Sequence, residues 1–157
     1  MLVKGIVEED FVNYKFPSMF IGFPNCSFKC EQECGERVCQ NSALAQSSDI
    51  EVSTSIIVQR YLDNPITKAL VCGGLEPFDS FDDLLELVRT LRKYSNDQIV
   101  IYTGYNRSEL TWQIKKLQEF SNIIIKFGRF IPEQESHLDD VLGIELASPN
   151  QYAERIS

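Results

Sequence analysis

The chain has 157 residues, 43% of them hydrophobic and 24% charged, a balance that suits one globular domain over residues 1–157. Its formal net charge of −8 leaves no basic surface for nucleic acid or an anionic membrane, so neither is an expected partner. The start MLVKGIVEEDF has three acids and no apolar run of signal length, and runs such as MFIGF are too short to span a bilayer. The expected compartment is the cytoplasm.

In chain order, residues 17–23 read as a short buried strand stopped by Pro24-Asn25. A cysteine-rich loop follows, then a small helical or turn piece at 41–45. Ser53 is placed to cap a helix through about Leu62, and Asn64-Pro65 stops it. Residues 66–72 form the next strand, ended by Gly73-Gly74. Ser80 is placed to cap a helix to about Tyr94, with Phe81, Leu84, Leu85, Val88 and Leu91 on one face.

Residues 98–102 are a third strand, closed by Thr103-Gly104-Tyr105, and Ser108 opens a helix to about Phe120. Residues 122–126 are a fourth strand and 141–146 a weaker fifth. Near-continuous apolar strands alternating with helices predict an α/β fold with a mainly parallel sheet. Five strands cannot close an eight-stranded barrel, so an open half-barrel or a doubly wound sheet remains. In either, loops at the carboxyl ends of the strands form the site. The cysteine loop, the glycine pair and the Thr-Gly-Tyr turn all lie at such ends.

The stretch CSFKCEQECGERVC, residues 26–39, holds four of the five cysteines. Reduced thiols this crowded point to a metal. Structural zinc favours two separated pairs, whereas an iron–sulfur cluster accepts ligands from one compact loop. Both remain open on spacing alone. Cys72, at the end of an apolar strand, reads as a buried small hydrophobe. His137 reads as surface and Trp112 as packing or a partner contact.

The order and spacing of these loops resemble the radical S-adenosylmethionine (SAM) family, and within it the small activating proteins of anaerobic ribonucleotide reductase. Cys26 and Cys30 match the first two cysteines of the family's C-x3-C-x2-C motif, and Cys39-Gln40-Asn41 resembles the third with its trailing Asn. Gly73-Gly74-Leu75-Glu76-Pro77 resembles the Gly-Gly-Glu-Pro motif, with Leu75 inserted. Residues 101–105, 125–130 and 148–151 resemble further segments, although Lys126 stands where related activases carry an acid.

The resemblance implies an open partial (βα) barrel of radical SAM type, with a 4Fe-4S cluster and SAM as cofactors. It implies Cys26, Cys30 and either Cys39 or Cys34 as cluster ligands, and Asn41, Gly73, Gly74, Glu76, Pro77, Thr103 and Tyr105 around SAM. The implied activity is reductive SAM cleavage that places a glycyl radical on a large protein partner, anaerobic ribonucleotide reductase. An external donor such as flavodoxin or ferredoxin would supply the electron. The alternatives are a cluster- or zinc-binding module closed by all four loop cysteines, or radical chemistry on another target.

Overall fold

The computed structural model describes residues 1–157. Its elements in chain order are β1 (Leu2–Val3), β2 (Gly5–Asp10), β3 (Ser18–Phe23), α1 (Lys29–Cys34), α2 (Ser42–Gln46), β4 (Ile50–Glu51) and α3 (Thr54–Asp63). There follow β5 (Ala69–Gly74), α4 (Phe81–Arg92), β6 (Gln98–Tyr102), α5 (Thr111–Leu117), β7 (Ile123–Phe127), β8 (His137–Asp139), β9 (Ile144–Leu146) and β10 (Tyr152–Arg155).

Six strands form the central sheet in the order β10-β7-β6-β5-β3-β2. The inner four run parallel, so the carboxyl ends of β3, β5, β6 and β7 share one rim. Helices α3, α4 and α5 are the connections between them. The two edge strands are antiparallel. No helix is long and apolar enough to cross a membrane.

Each inner strand is buried on both faces, which explains its unbroken apolar run. Alternate residues point to opposite sides. Leu70, Cys72, Ile99, Ile101, Ile123 and Ile125 pack on one face with Ile57 of α3, Leu84, Leu87 and Leu91 of α4, and Ile114 and Leu117 of α5. The opposite face, with Val71, Val100 and Ile124, has no helical cover. Tyr14, Leu142 and Leu146 lie there instead. The helices that enter the core therefore all pack on one side of the sheet.

Several expectations are corrected. The fifth strand shrinks to β9, which pairs antiparallel with β8 in a separate hairpin instead of joining the sheet. Asp139 forces a turn there, its Oδ1 accepting from the N–H groups of Val141 and Leu142 at 3.0 and 2.9 Å. His137 is half-buried in β8 instead of lying in a surface loop. The second predicted strand starts at Ala69 and includes Gly73 and Gly74, which pair with Gly22 and Phe23 as its last two residues.

Ser53 caps α3 through a bond from Ile56 N–H at 3.3 Å. Ser80 occupies the N-cap position of α4 but its side chain makes no capping bond, and Ser108 lies inside a 3-10 turn instead of capping a helix. A 3-10 turn at Pro77–Ser80 precedes α4, and Glu76 accepts from Phe78 N–H at its start. A second such turn at Arg107–Glu109 precedes α5, where Glu109 accepts from Asn106 N–H at 2.8 Å.

Candidate metal centre

The cysteine loop leaves β3 after Pro24-Asn25 and crosses the strand rim. Neither of its helices buries a residue, so apolar packing does not hold it. Polar ties do. Asn25 O accepts from Glu76 N–H at 2.8 Å, and Ser27 N–H donates to Asp79 at 2.6 Å. Asp79 also accepts from the Tyr105 hydroxyl at 2.5 Å. Lys29 lies 4.4 Å from the Tyr105 ring centre and 3.2 Å from Glu109. Farther on, the Asn41 amide donates to Gly74 O at 2.6 Å.

This path wraps the loop around a cavity of about 580 Å³ at the carboxyl ends of the strands. Cys26, Cys30 and Cys39 line it, and Cys34 does not. Cys34 is the half-buried last residue of α1, just before the left-handed Gly35 cap. Phe28 N–H points at Cys26 Sγ, 3.2 Å away. Gly104 stands against Cys30: a Cβ there would lie 3.4 Å from its Sγ. Burial pushes the Cys26 thiol up to about 12 and raises Cys30 as well. Both thiols are therefore protonated without metal, and loading releases protons.

The glycine pair also borders the cavity. Gly74 has φ +87°, and a Cβ there would strike Gly22 Cα at 2.7 Å. Only glycine fits that conformation and that approach of two strands. Glu76 is buried rather than solvent-facing. Its carboxylate accepts from Phe78 N–H at 3.1 Å, the Thr103 hydroxyl at 2.9 Å and Gly104 N–H at 2.9 Å. Desolvation nevertheless raises its pKa to about 7.

Of the residues expected around the site, Cys26, Cys30, Cys39, Asn41, Gly73, Gly74, Glu76 and Thr103 share the cavity. Tyr105 lines a small adjoining hollow with Cys26 and Cys30. Pro77 is buried at the start of its 3-10 turn and reaches neither space. Cys72 is fully buried in the core and Trp112 packs edge-on against Phe81.

Residues 18–147 match the model of the 4Fe-4S single cluster domain family. The chain belongs to that family. No curated protein matches it. In this 4Fe-4S single cluster domain protein the matched stretch runs from β3 to the β8–β9 hairpin, taking in all four loop cysteines and most of the cavity wall.

The donor set fits the cluster. Thiolates on one zinc ion, each at about 2.3 Å, stand within roughly 4 Å of one another. No three His, Cys, Asp or Glu side chains converge in that way. Three thiols instead line one roomy cavity, which suits a larger group whose separate irons each take one sulfur.

The cavity also contains residues that sequence reasoning did not assign to the site. Lys126, Gly128 and Phe130 enter it from the end of β7 and the turn beyond, and Val12 and Asn13 from the loop after β2. Lys126 carried a usable signal: a lysine inside the run NIIIKF sits in a strand whose every residue is buried. Val12 and Asn13 had no comparable signal: β2 ends beside the amino end of β3, and the loop after it reaches the cavity over the helix-free face, where the Tyr102 hydroxyl donates to Asn13 O at 2.6 Å.

Proposed function

We propose that Cys26, Cys30 and Cys39 hold the 4Fe-4S cluster with one iron left free of thiolate, and that the chain is a radical SAM activase. One observation carries this reading: those three thiols share a cavity with Gly73, Gly74, Glu76 and Thr103, and Cys34 stands outside it. A volume of about 580 Å³ lies within the range of small-molecule sites, leaving space beside a cluster. The chemistry a bound and reduced cluster would supply here is one electron to SAM, which would break the C5′–S bond to give methionine and a 5′-deoxyadenosyl radical.

The chain's own residues bind, orient and exclude water. Gly73 and Gly74 present bare backbone to the ligand. Glu76 has three of its roughly four acceptor sites filled and offers the remaining one to the ligand's ammonium. Thr103 fixes that carboxylate, Asn41 ties the far end of the cysteine loop to Gly74, and Phe28 and Phe130 wall off water. The packing of helices on one face of the sheet supports an open partial (βα) barrel. In this reading the partner is a large glycyl-radical protein, anaerobic ribonucleotide reductase, and a flavodoxin or ferredoxin donates the electron.

A second reading stays with the family match: a cluster-binding module closed by all four loop cysteines, without SAM cleavage. The eight residues between Cys30 and Cys39, and the inserted Leu75, favour it. Anaerobic reconstitution with iron and sulfide, reduction, and assay for 5′-deoxyadenosine separates the two. The activase yields 5′-deoxyadenosine from SAM. Absence of cleavage by a fully loaded protein, with and without the reductase, leaves the module.

A further inference from the structure

One strand beside the cavity has a side that nothing in the chain uses. β9 pairs with β8 alone, in a two-stranded sheet, so one of its edges is free. Outside that ladder, no backbone group bonds to the main chain of Ile144, Glu145 or Leu146. Bonding resumes only at Ala147, whose N–H donates to the Gln151 side-chain carbonyl at 3.1 Å.

That free edge borders the cavity. Ile144, Glu145, Leu146 and Ala147 all line it. Side chains of a strand alternate between its two faces, so one face would contribute every second residue. Four consecutive residues mean that the edge itself meets the space. Main-chain donors and acceptors, repeating about every 6.8 Å along such an edge, are presented to whatever enters.

A strand edge of this kind pairs with extended main chain. A second copy of the chain does not fit. Pairing β9 with itself about a two-fold axis would centre Glu145 on Glu145, between molecules of net charge −8. Glu145 instead specifies a partner of opposite charge. It is exposed, lines the cavity and enters none of the chain's ion pairs. Glu31 lines the same cavity and is likewise outside every ion pair.

We propose that the free edge of β9 takes up an extended segment of a partner protein by strand addition, with a Lys or Arg of that segment against Glu145. Where the segment carries the glycine to be activated, the inference rests on the function proposed above; the peptide-binding edge itself does not.

The test uses the anaerobically reconstituted full chain and two capped heptapeptides, one alternating valine with lysine and the other valine with glutamate. Anaerobic calorimetry measures their binding. The native protein is expected to bind the lysine peptide about tenfold more tightly or better, and Glu145→Lys to reverse the order. Only one edge of the peptide pairs, so N-methylating alternate amides should abolish binding in one phase and spare it in the other. Hydrogen exchange at residues 144–146 should slow with the lysine peptide bound. Binding of neither peptide, an unchanged order in Glu145→Lys, or equal sensitivity to both methylation patterns overturns the strand edge. A loaded protein that binds the peptide but cleaves no SAM loses the activase reading and keeps the edge. One that cleaves SAM without binding the peptide keeps the activase reading and loses the edge.

Discussion

Arg129 and Glu109 meet fork to fork, with Nη1 2.7 Å from one carboxylate oxygen and Nη2 2.9 Å from the other. The pair reaches the cysteine loop at two points. Lys29 lies 3.2 Å from Glu109, and Glu33 lies 2.9 Å from Arg129 Nε, close but not aligned as a hydrogen bond. Lys29 and Glu33 are one turn apart on α1, which buries nothing of its own. The guanidinium beside Glu109 holds its carboxyl down at about 2. Its contribution is thus present above the ordinary carboxylate pKa and lost only as pH falls toward 2.

Arg129→Ala is therefore expected to loosen the loop. Charge-assisted bonds contribute about 1.5–3 kcal/mol, so cluster loss to a chelator should accelerate about tenfold or more. Arg129→Lys keeps the charge without the fork and should fall between. Decay of the cluster's visible absorption measures both; equal decay in all three proteins contradicts the role.

Replacing the thiols one at a time reads the ligand set. Cys26→Ser, Cys30→Ser and Cys39→Ser should each lose most of their iron and sulfide after reconstitution. Cys34→Ser should retain it, because its side chain lies outside the cavity. Iron and sulfide analysis with electron paramagnetic resonance of the reduced proteins provides the check. Cluster loss in Cys34→Ser would instead support the closed four-thiolate module.

The two glycines after Cys72 should differ. Gly74→Ala sets a Cβ 2.7 Å from the Gly22 backbone at φ +87°, and should cost about 2–4 kcal/mol. Gly73→Ala meets the Phe20 ring at 2.9 Å, which can give way, and should cost about 1 kcal/mol. Chemical denaturation of the loaded proteins measures both.

Glu76 predicts a pH signature. Its folded pKa, near 7, lies above the ordinary carboxylate value of 4.5, so the native state holds its proton longer than the unfolded chain. Stability from this group is full below about pH 4.5 and declines as pH rises through 7. Glu76→Gln lacks that decline. Relative to the native protein it should gain about 1–3 kcal/mol between pH 5 and pH 8, read from denaturation at each pH. A parallel pair of curves would contradict the buried carboxylate.

The inner strands were legible because burial on both faces leaves an apolar run with little else to read. The edges were not. GIVEED and YAER look like surface, yet an edge strand tolerates charge and often uses it. The antiparallel flanks of the sheet were therefore missed. At the site, spacing brought the thiols, glycines and Glu76 to one rim because parallel strands end together. It could not tell Cys34 from Cys39, since that depends on which way a short helix turns. Nor could it pair Arg129 with Glu109, twenty residues apart and joined only through the rim.

That α1 buries nothing also bears on how far the cysteine pattern can stretch. None of residues 31–38 is buried, so their number is not set by the fit of any core side chain. Lengthening such a segment costs mainly loop-closure entropy, about 0.6 kcal/mol for each doubling. The distance between Cys30 and Cys39 in space can thus stay fixed while their separation in sequence drifts. A spacing rule written for the loop is therefore a weaker guide to its ligands than the wall each sulfur faces.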